Sequence, residues 1–450
     1  MSQELFHEFD PVSAKQWKQK IQADLKGASY EEVITPTAEG IDIKPFYHKD
    51  TDGVTHQIKS PTNWLISEEI SAQALAEKDT DPSAKGTEHY TLRFTEDCAE
   101  ITRLLKKLPE DFPVHITVKT DPKNLHEALK NNLHQHLSIS FDPIAQLAYS
   151  GNWFNNQAED FNALVEHLQH DYATLEVDFR GYHEAGATIT QQLAYLLAHT
   201  NEYFNVFEQH KKEFKSLKLV VKTAIGGNYF FEIAKHKAIR LLLNTLSKEY
   251  GIALSLNIIA APGKRNKTLY DYNTNMLRTT TECMSAVLGG ADVLCNRPYD
   301  NMYHEPNEFG DRIARNQLLI LKHESYFNAV ENPADGAYYI ETLTHQLSEN
   351  ALDIFKQIEQ GGGFLKQLAE GVIQRKIKEQ ASKEQKAFDQ QEKVLVGTNK
   401  FENKEDQMHQ KIEKHPFLTS KSRKTLIEPI IQRRLAEKLE QERLNAETSA

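Results

Sequence analysis

From about residue 60 the chain alternates two kinds of pattern. Short apolar, often β-branched runs occur at Asn63–Ile70, His89–Phe94, Val114–Thr120 and Leu137–Asp142. They recur at Thr174–Arg180, Leu217–Thr223, Ile252–Ala260 and Ala291–Arg297. Each has strand length and composition. Helical spacing fills the gaps, most clearly at Glu96–Leu108, Asn156–His170, Thr190–Phe207, Phe230–Tyr250 and Thr274–Leu288. Eight strands interleaved with helices is the count of a (β/α)8 TIM barrel. A doubly wound open sheet is the alternative. It usually has fewer strands and opens on a glycine-rich turn that this sequence lacks, so the α/β barrel is the preferred reading.

The flanks read differently. Residues 1–60 form an N-terminal arm. Ser13 is placed to cap a helix running to Gly27, a natural stop, and Trp17, Ile21 and Leu25 recur every four residues. An apolar stripe with no nearby partner predicts packing on another subunit, with Phe6 and Trp17 as contact candidates. The barrel domain spans 61–380. It ends in a helix over Ile340–Ile358, a break at Gly361–Gly363 and a second helix to about Gln380. Residues 381–450 form a partly helical C-terminal extension. In it Val394–Phe401 reads as a strand and turn, and Ile430–Leu444 as a docked helix with a fraying end.

Composition narrows the function classes. The 450 residues carry 53 Lys and Arg against 64 Asp and Glu, a net charge of −11. That argues against a nucleic-acid or anionic-membrane binder, since both need a basic surface. Three cysteines are too few for a disulfide framework or a cysteine-ligated zinc site, which fits a reducing compartment. The start MSQELFHEFDPVS has no basic region followed by an apolar run, and no window is long enough to span a bilayer. A cytoplasmic location is expected.

Familiar chemical motifs fail on inspection. Gly263-Lys264 is followed by Arg265 and preceded by Ile258 where a P-loop needs glycine, and no GxGxxG occurs. His134 and His136 have metal-ligand spacing but lie at the N-terminal end of a strand, away from the face where barrel sites form. The His-Glu pairs at 183, 304 and 323 lack the second histidine of a zinc protease. The C-terminal strand ends carry Asp142, Arg180, Tyr182, His183, Glu184, Asn257, Asn296 and Arg297. Only GYHEAGAT (181–188) looks like a site. His183 there is either a general acid or base or a polar cap on the strand. Arg312, Arg315 and Asn316 share a helical turn; spacing favours ties to loops over an anion site.

DRIARNQLLILKHES (311–325) and NPADGAYYIETLT (332–344) resemble methylmalonyl-CoA mutase, whose pattern there is approximately ARIARNTQLILxEES and DPxGGSYYVExLT. FFEIAKHKAIR (230–240), EAGAT (184–188), EGIDIKPFY (39–47) and VLVGTNKF (394–401) match in the same order. The resemblance implies a barrel domain, normally followed by a cobalamin-binding domain. Four departures qualify it. The loop RGPYATMY…RPWTIRQY is replaced after Tyr47 by HKDTDGVTHQIKSPTNW. GYHMQEAGA is shortened to GYHEAGA, so that either Gly181 or His183 takes the place of the catalytic histidine. RTHCQTSG is replaced by LNIIAAPGKRNKTLYDY (256–272). The cobalt-ligating DxHxxG is missing, and no complete cobalamin-binding domain is expected. The sequence is therefore similar to the small, or beta, subunits of the bacterial heterodimeric members. That likeness implies a large catalytic (alpha) subunit as partner, with adenosylcobalamin held by that partner and not by this chain. It also implies no catalytic residue here, His183 and Arg180 being vestigial candidates. An independent barrel enzyme using His183 on a small anionic ligand is the alternative.

Overall fold

The computed structural model describes residues 8–52, 58, 61, 63–71, 83–94, 98–129, 135–210, 214–419 and 423–449. Phe6 and His134 lie outside the described residues. Eight parallel strands close into a barrel. They are β1 (Leu65–Ser71), β2 (His89–Phe94), β3 (Val114–Val118), β4 (Leu137–Phe141), β5 (Ala173–Asp178), β6 (Ser216–Ile225), β7 (Ala253–Pro262) and β8 (Val293–Cys295). Val293 of β8 pairs with Leu65 of β1 and completes the ring. Each of the eight barrel strands expected from the sequence is present. β7 runs on to Pro262, so Asn257 lies mid-strand and Gly263-Lys264 takes the strand end expected near Asn257.

Strand side chains alternate between two faces. The outward set, including Ile66, Leu92, Ile116, Ile139, Val177, Val221, Ile258 and Leu294, joins the helices in one apolar core. The inward set is split. Leu65, Val220, Ile259 and Val293 form a small apolar cluster. The rest of the lumen is buried and polar, with His89, Thr91, His115, Thr117, Ser140, Glu176 and Lys222. Barrel interiors are ordinarily filled by branched apolar side chains, so this half-polar filling departs from the usual pattern.

The helices follow their local signals. Thr188 caps helix Ile189–Gln209 in a capping box with Gln191, and Asp142 with Pro143 starts helix Pro143–Ser150. In the arm, Ser13 caps helix Ala14–Asp24 in a box with Gln16, and only Ala14 of that helix is buried. Trp17 stays 44% exposed and stacks on Phe46 at 4.6 Å between ring centroids. The following segment docks on this chain's own barrel. Ile41 enters the main core, and the Glu39 carboxylate accepts from the Ile189 and Thr190 amides at 2.9 and 2.7 Å. Burial pushes the Glu39 carboxyl above its ordinary value, against the pull of those amides.

The C-terminal extension differs from expectation in three places. Val394–Phe401 is a turn about Gly397 with one isolated bridge, Val396 to Lys400, and no strand. The last helix is Glu437–Ser449, not Ile430–Leu444. Residues 426–434 instead form no helix, because several of their amides are used elsewhere. Leu426 and Ile430 donate to Gly151 and Ala148, Arg433 to Glu184, and Leu435 to Arg265. Gly151 has φ +78°, and a Cβ there would lie 2.7 Å from the Ile427 carbonyl. Only glycine fits both demands. The final helix does not fray at its start. Glu440 is fully buried, accepting from Leu269 N at 2.7 Å and pairing with Arg434.

Candidate functional site

The C-terminal face of the strands holds three separate arrangements: a plug on the barrel axis, a cleft beside it, and a cavity at the β8–β1 edge.

The plug begins in the lumen. Glu176 Oε2 lies 3.0 Å from Lys222 Nζ, 3.0 Å from Thr117 Oγ1 and 3.2 Å from His115 Nε2, and it accepts from Ser140. Burial pushes the Glu176 carboxyl up, but the Lys222 ammonium and the His115 bond outweigh burial and hold it well below its ordinary value. Burial pushes His115 down to about 4, with the Lys222 charge acting in the same direction. Above this layer Arg180 grips Asp178 through two bonds of 2.9 and 2.7 Å. Its other edge lies 3.9 Å from Glu69, and Glu69 also pairs with Arg93. Burial raises the Glu69 carboxyl, yet Arg180, Arg93 and Arg297 together hold it far below the usual range.

The cleft encloses about 610 Å³ between strand ends β5–β7, arm residues 37–40 and helix Val372–Asp389. His183 faces it. Its Nδ1 lies 3.3 Å from Gln192 Nε2, and its buried Nε2 has no partner. The ring fits because two strand ends carry glycine. A Cβ on Gly226 would sit 2.9 Å from Cε1, and one on Gly263 2.6 Å from Nε2. Burial, then Lys235 and Arg265, push the imidazole well below its ordinary value, so it is neutral at pH 7. A neutral imidazole can accept or donate one proton here, but the two hydroxyls lining the cleft are already engaged, Thr37 on the Ile41 carbonyl and Thr188 on the Gln191 amide, and no thiol lines it.

Arg180 and His183 are thus three residues apart yet face different places. Asp142 is structural: it caps the Ala145 amide at 2.9 Å, accepts from Asp178 N at 2.8 Å and lies 3.0 Å from His199 Nε2. Tyr182 is buried against His199. Glu184 ties the β5 and β7 ends by accepting the Lys264 amide at 2.9 Å. Gly181 is closed to any side chain by the Tyr149 ring, 2.2 Å from where a Cβ would stand. Asn296 holds its loop to helix Glu308–Leu319 through the Ala314 carbonyl at 2.9 Å. Of the helical trio, Arg315 pairs with Glu68 at 2.7 Å, Arg312 lies over the Phe309 ring, and Asn316 is exposed. Among the described residues no three His, Cys, Asp or Glu side chains converge as a metal site, and no helix is long and apolar enough to cross a membrane.

The cavity at the β8–β1 edge, about 430 Å³, lies between the plug and helix Glu308–Leu319. It brings together Arg297, which the sequence singles out, and Lys264, Arg93 and Glu69, which it does not. Their signal is present nonetheless. Glu69, Arg93, Glu176, Asp178 and Lys222 are charges inside runs that otherwise read as buried strand, all on the inward register.

Comparison with known proteins agrees with this architecture. The family model for methylmalonyl-CoA mutase matches residues 138–449. The methylmalonyl-CoA mutase small subunit of Porphyromonas gingivalis is 30% identical over 443 residues, covering 89% of this chain and 71% of that protein. The methylmalonyl-CoA mutase of Rhizobium meliloti is 36% identical over 239 residues, 51% of this chain and 34% of its own length. The large subunit of the P. gingivalis enzyme is 32% identical over 233 residues, 50% of this chain and 32% of its own length. This chain therefore spans most of the small-subunit relative but only about a third of the other two. With the closed barrel, these matches establish that the chain belongs to the methylmalonyl-CoA mutase family.

Proposed function

We propose that this chain is the small, non-catalytic subunit of a heterodimeric, adenosylcobalamin-dependent methylmalonyl-CoA mutase. The holoenzyme interconverts (R)-methylmalonyl-CoA and succinyl-CoA in cytoplasmic propionate metabolism, and the large catalytic subunit is the partner. The observation that carries this reading is the plug. Barrel enzymes place substrate at the C-terminal mouth, and here Asp178, Arg180, Glu69 and Arg93 occupy that mouth in mutual ion pairs.

The residues at this mouth do not fit adenosylcobalamin. His89 and His115 are buried in the lumen, and His183 is wedged between Gly226 and Gly263 beneath helix Val372–Asp389. None presents a nitrogen to a corrin ring, so the cofactor is assigned to the partner. The exposed Trp17 face of the arm is the contact assigned to that partner. Enzymes that act on their own at a barrel mouth keep an open, polar-lined pocket there. The cleft at His183 is the one feature favouring the second reading, an independent enzyme for a small anion.

The test is methylmalonyl-CoA turnover with added adenosylcobalamin. It is run on this chain, on the large chain, and on the two co-expressed. Turnover only from the co-purifying pair is expected, and His183→Ala leaves it within about threefold. Turnover by this chain alone overturns the proposal. So does a fall of about tenfold on His183→Ala with assembly intact, which assigns chemistry to this barrel.

A further inference from the structure

The cavity at the β8–β1 edge has an imbalance that the plug beneath it does not. Five cationic side chains line it: Arg93, Lys264, Arg297, Arg315 and Lys414. Three carboxylates face them, leaving two positive charges in excess. Glu69 is shared by Arg93 and Arg180, and Glu68 is taken by Arg315 NH1. Three donors are left over. Lys264 Nζ has no hydrogen-bond or ion-pair partner among the described residues, its backbone amide alone being bonded, to Glu184. Arg297 uses Nε on the Pro262 carbonyl at 2.9 Å, which leaves its two terminal nitrogens toward the cavity. Arg315 Nε is buried without a partner.

Like charges held together at a half-buried site repel, and unbonded buried donors cost free energy. Both penalties vanish if a negatively charged, oxygen-rich ligand enters. The repulsion is visible on Lys264. The neighbouring Arg297 charge, then burial, push its ammonium down to about 8. The space, about 430 Å³, exceeds what a single water or chloride fills.

We propose that this cavity is a binding site for a small dianionic oxyanion, held by Lys264, Arg297 and Arg315. Two sources share that chemistry, a phosphate group and a dicarboxylate. The planar Arg forks suit either, and the Lys264 point charge supplies the rest of the attraction. The site is separate from the His183 cleft and needs no turnover. Its failure leaves the subunit reading standing, and failure of the subunit reading leaves this one standing.

The experiment is isothermal titration of the full chain with inorganic phosphate, and separately with succinate, at fixed ionic strength set by potassium chloride. Saturable one-to-one binding of at least one anion is expected. Phosphate alone identifies a phosphoryl ligand, and succinate alone a dicarboxylate. Lys264→Met and Arg297→Gln each weaken binding by about tenfold or more, whereas Lys264→Arg stays within about threefold. Affinity falls as pH rises through about 8, because the ammonium then loses its proton. Melting curves without added anion check that each variant is folded. Heats no larger than those of chloride overturn the proposal. Unchanged affinity in the folded Lys264→Met variant overturns it too.

Discussion

The lumen and the β8–β1 cavity hold charged side chains only a strand or two apart, and the two regions use them in opposite ways. In the lumen the Glu176 oxygen that faces the network meets a lysine, a histidine and two hydroxyls, and Asp178 and Arg180 close on one another. At the edge, Lys264 Nζ and the outer nitrogens of Arg297 have no hydrogen-bond or ion-pair partner among the described residues. Charges that satisfy one another inside a fold act as filling. Cations left over in a space of some hundreds of cubic ångströms do not fill it. The lesson concerns how to tell a vestigial site from a working one: residue type is the same in both regions, and only the accounting of partners separates them.

The strongest way to break that comparison is to remove one partner from each region. Lys222→Met strands Glu176 as an unpaired buried carboxylate and is expected to cost about 3–5 kcal/mol, read from urea unfolding. Adding Glu176→Gln recovers most of that loss. Lys264→Met removes a charge that has no partner and stays within about 0.5 kcal/mol of the parent. Equal costs for the two single variants would erase the distinction.

Acid probes the lumen together with the other buried imidazoles, His126, His167, His183 and His236, and a lumen variant isolates the lumen's share. Burial holds His89 at about 3 and His115 at about 4, against an ordinary value near 6.5. Both folded values lie below the unfolded one. Their stabilisation is therefore complete above pH 6.5 and is lost as pH falls toward 4 and 3, because the unfolded chain takes up protons that the fold refuses. Each histidine contributes about 1.4 kcal/mol per pH unit across that window. Urea midpoints measured between pH 7 and 5 should fall, and the fall should be shallower in His115→Gln. An equally steep fall in His115→Gln would mean the lumen admits the proton.

The smallest effect sharpens the boundary between plug and cleft. Gly263→Ala puts a methyl group 2.6 Å from His183 Nε2 and should cost about 1–3 kcal/mol by overpacking. His183→Ala in the same chain should restore most of it. Thermal unfolding of the single and double variants gives the coupling. Additive losses would show that the ring does not occupy the space those glycines leave.

The barrel was legible because its outward face is regular. Runs such as LSISFD and TLEVDFR place Ile139, Phe141, Leu175 and Val177 on one register, and the fold packs them against the helices as expected. The inward face was harder to read. Glu176 and Lys222 sit 46 positions apart in the chain, and no local spacing says that they meet. His183 was visible as a candidate, but its direction was not. That depends on Gly226 and Gly263, two glycines at the ends of other strands. Lys264 gives no local signal, because the Gly263-Lys264 pair fails the phosphate-loop spacing and its cavity partners come from other strands. The extension was misread for a related reason. Leu435 and Leu439 suggest a helix, but the amides of Leu426, Ile427, Ile430, Arg433 and Leu435 are claimed by carbonyls far away in the chain, and tertiary pairing overrides local preference.

The strap formed by those residues has a kinetic consequence. Its amide at Leu426 meets the Asn152 side chain across 274 positions of sequence, and Arg423 reaches the Ser150 carbonyl across 273. Contacts of such separation carry the largest loop-closure cost and form only after the segments between them are in place. The strap is thus a last-in element. It seats after β4 to β7 have assembled, and on unfolding it is the first to leave.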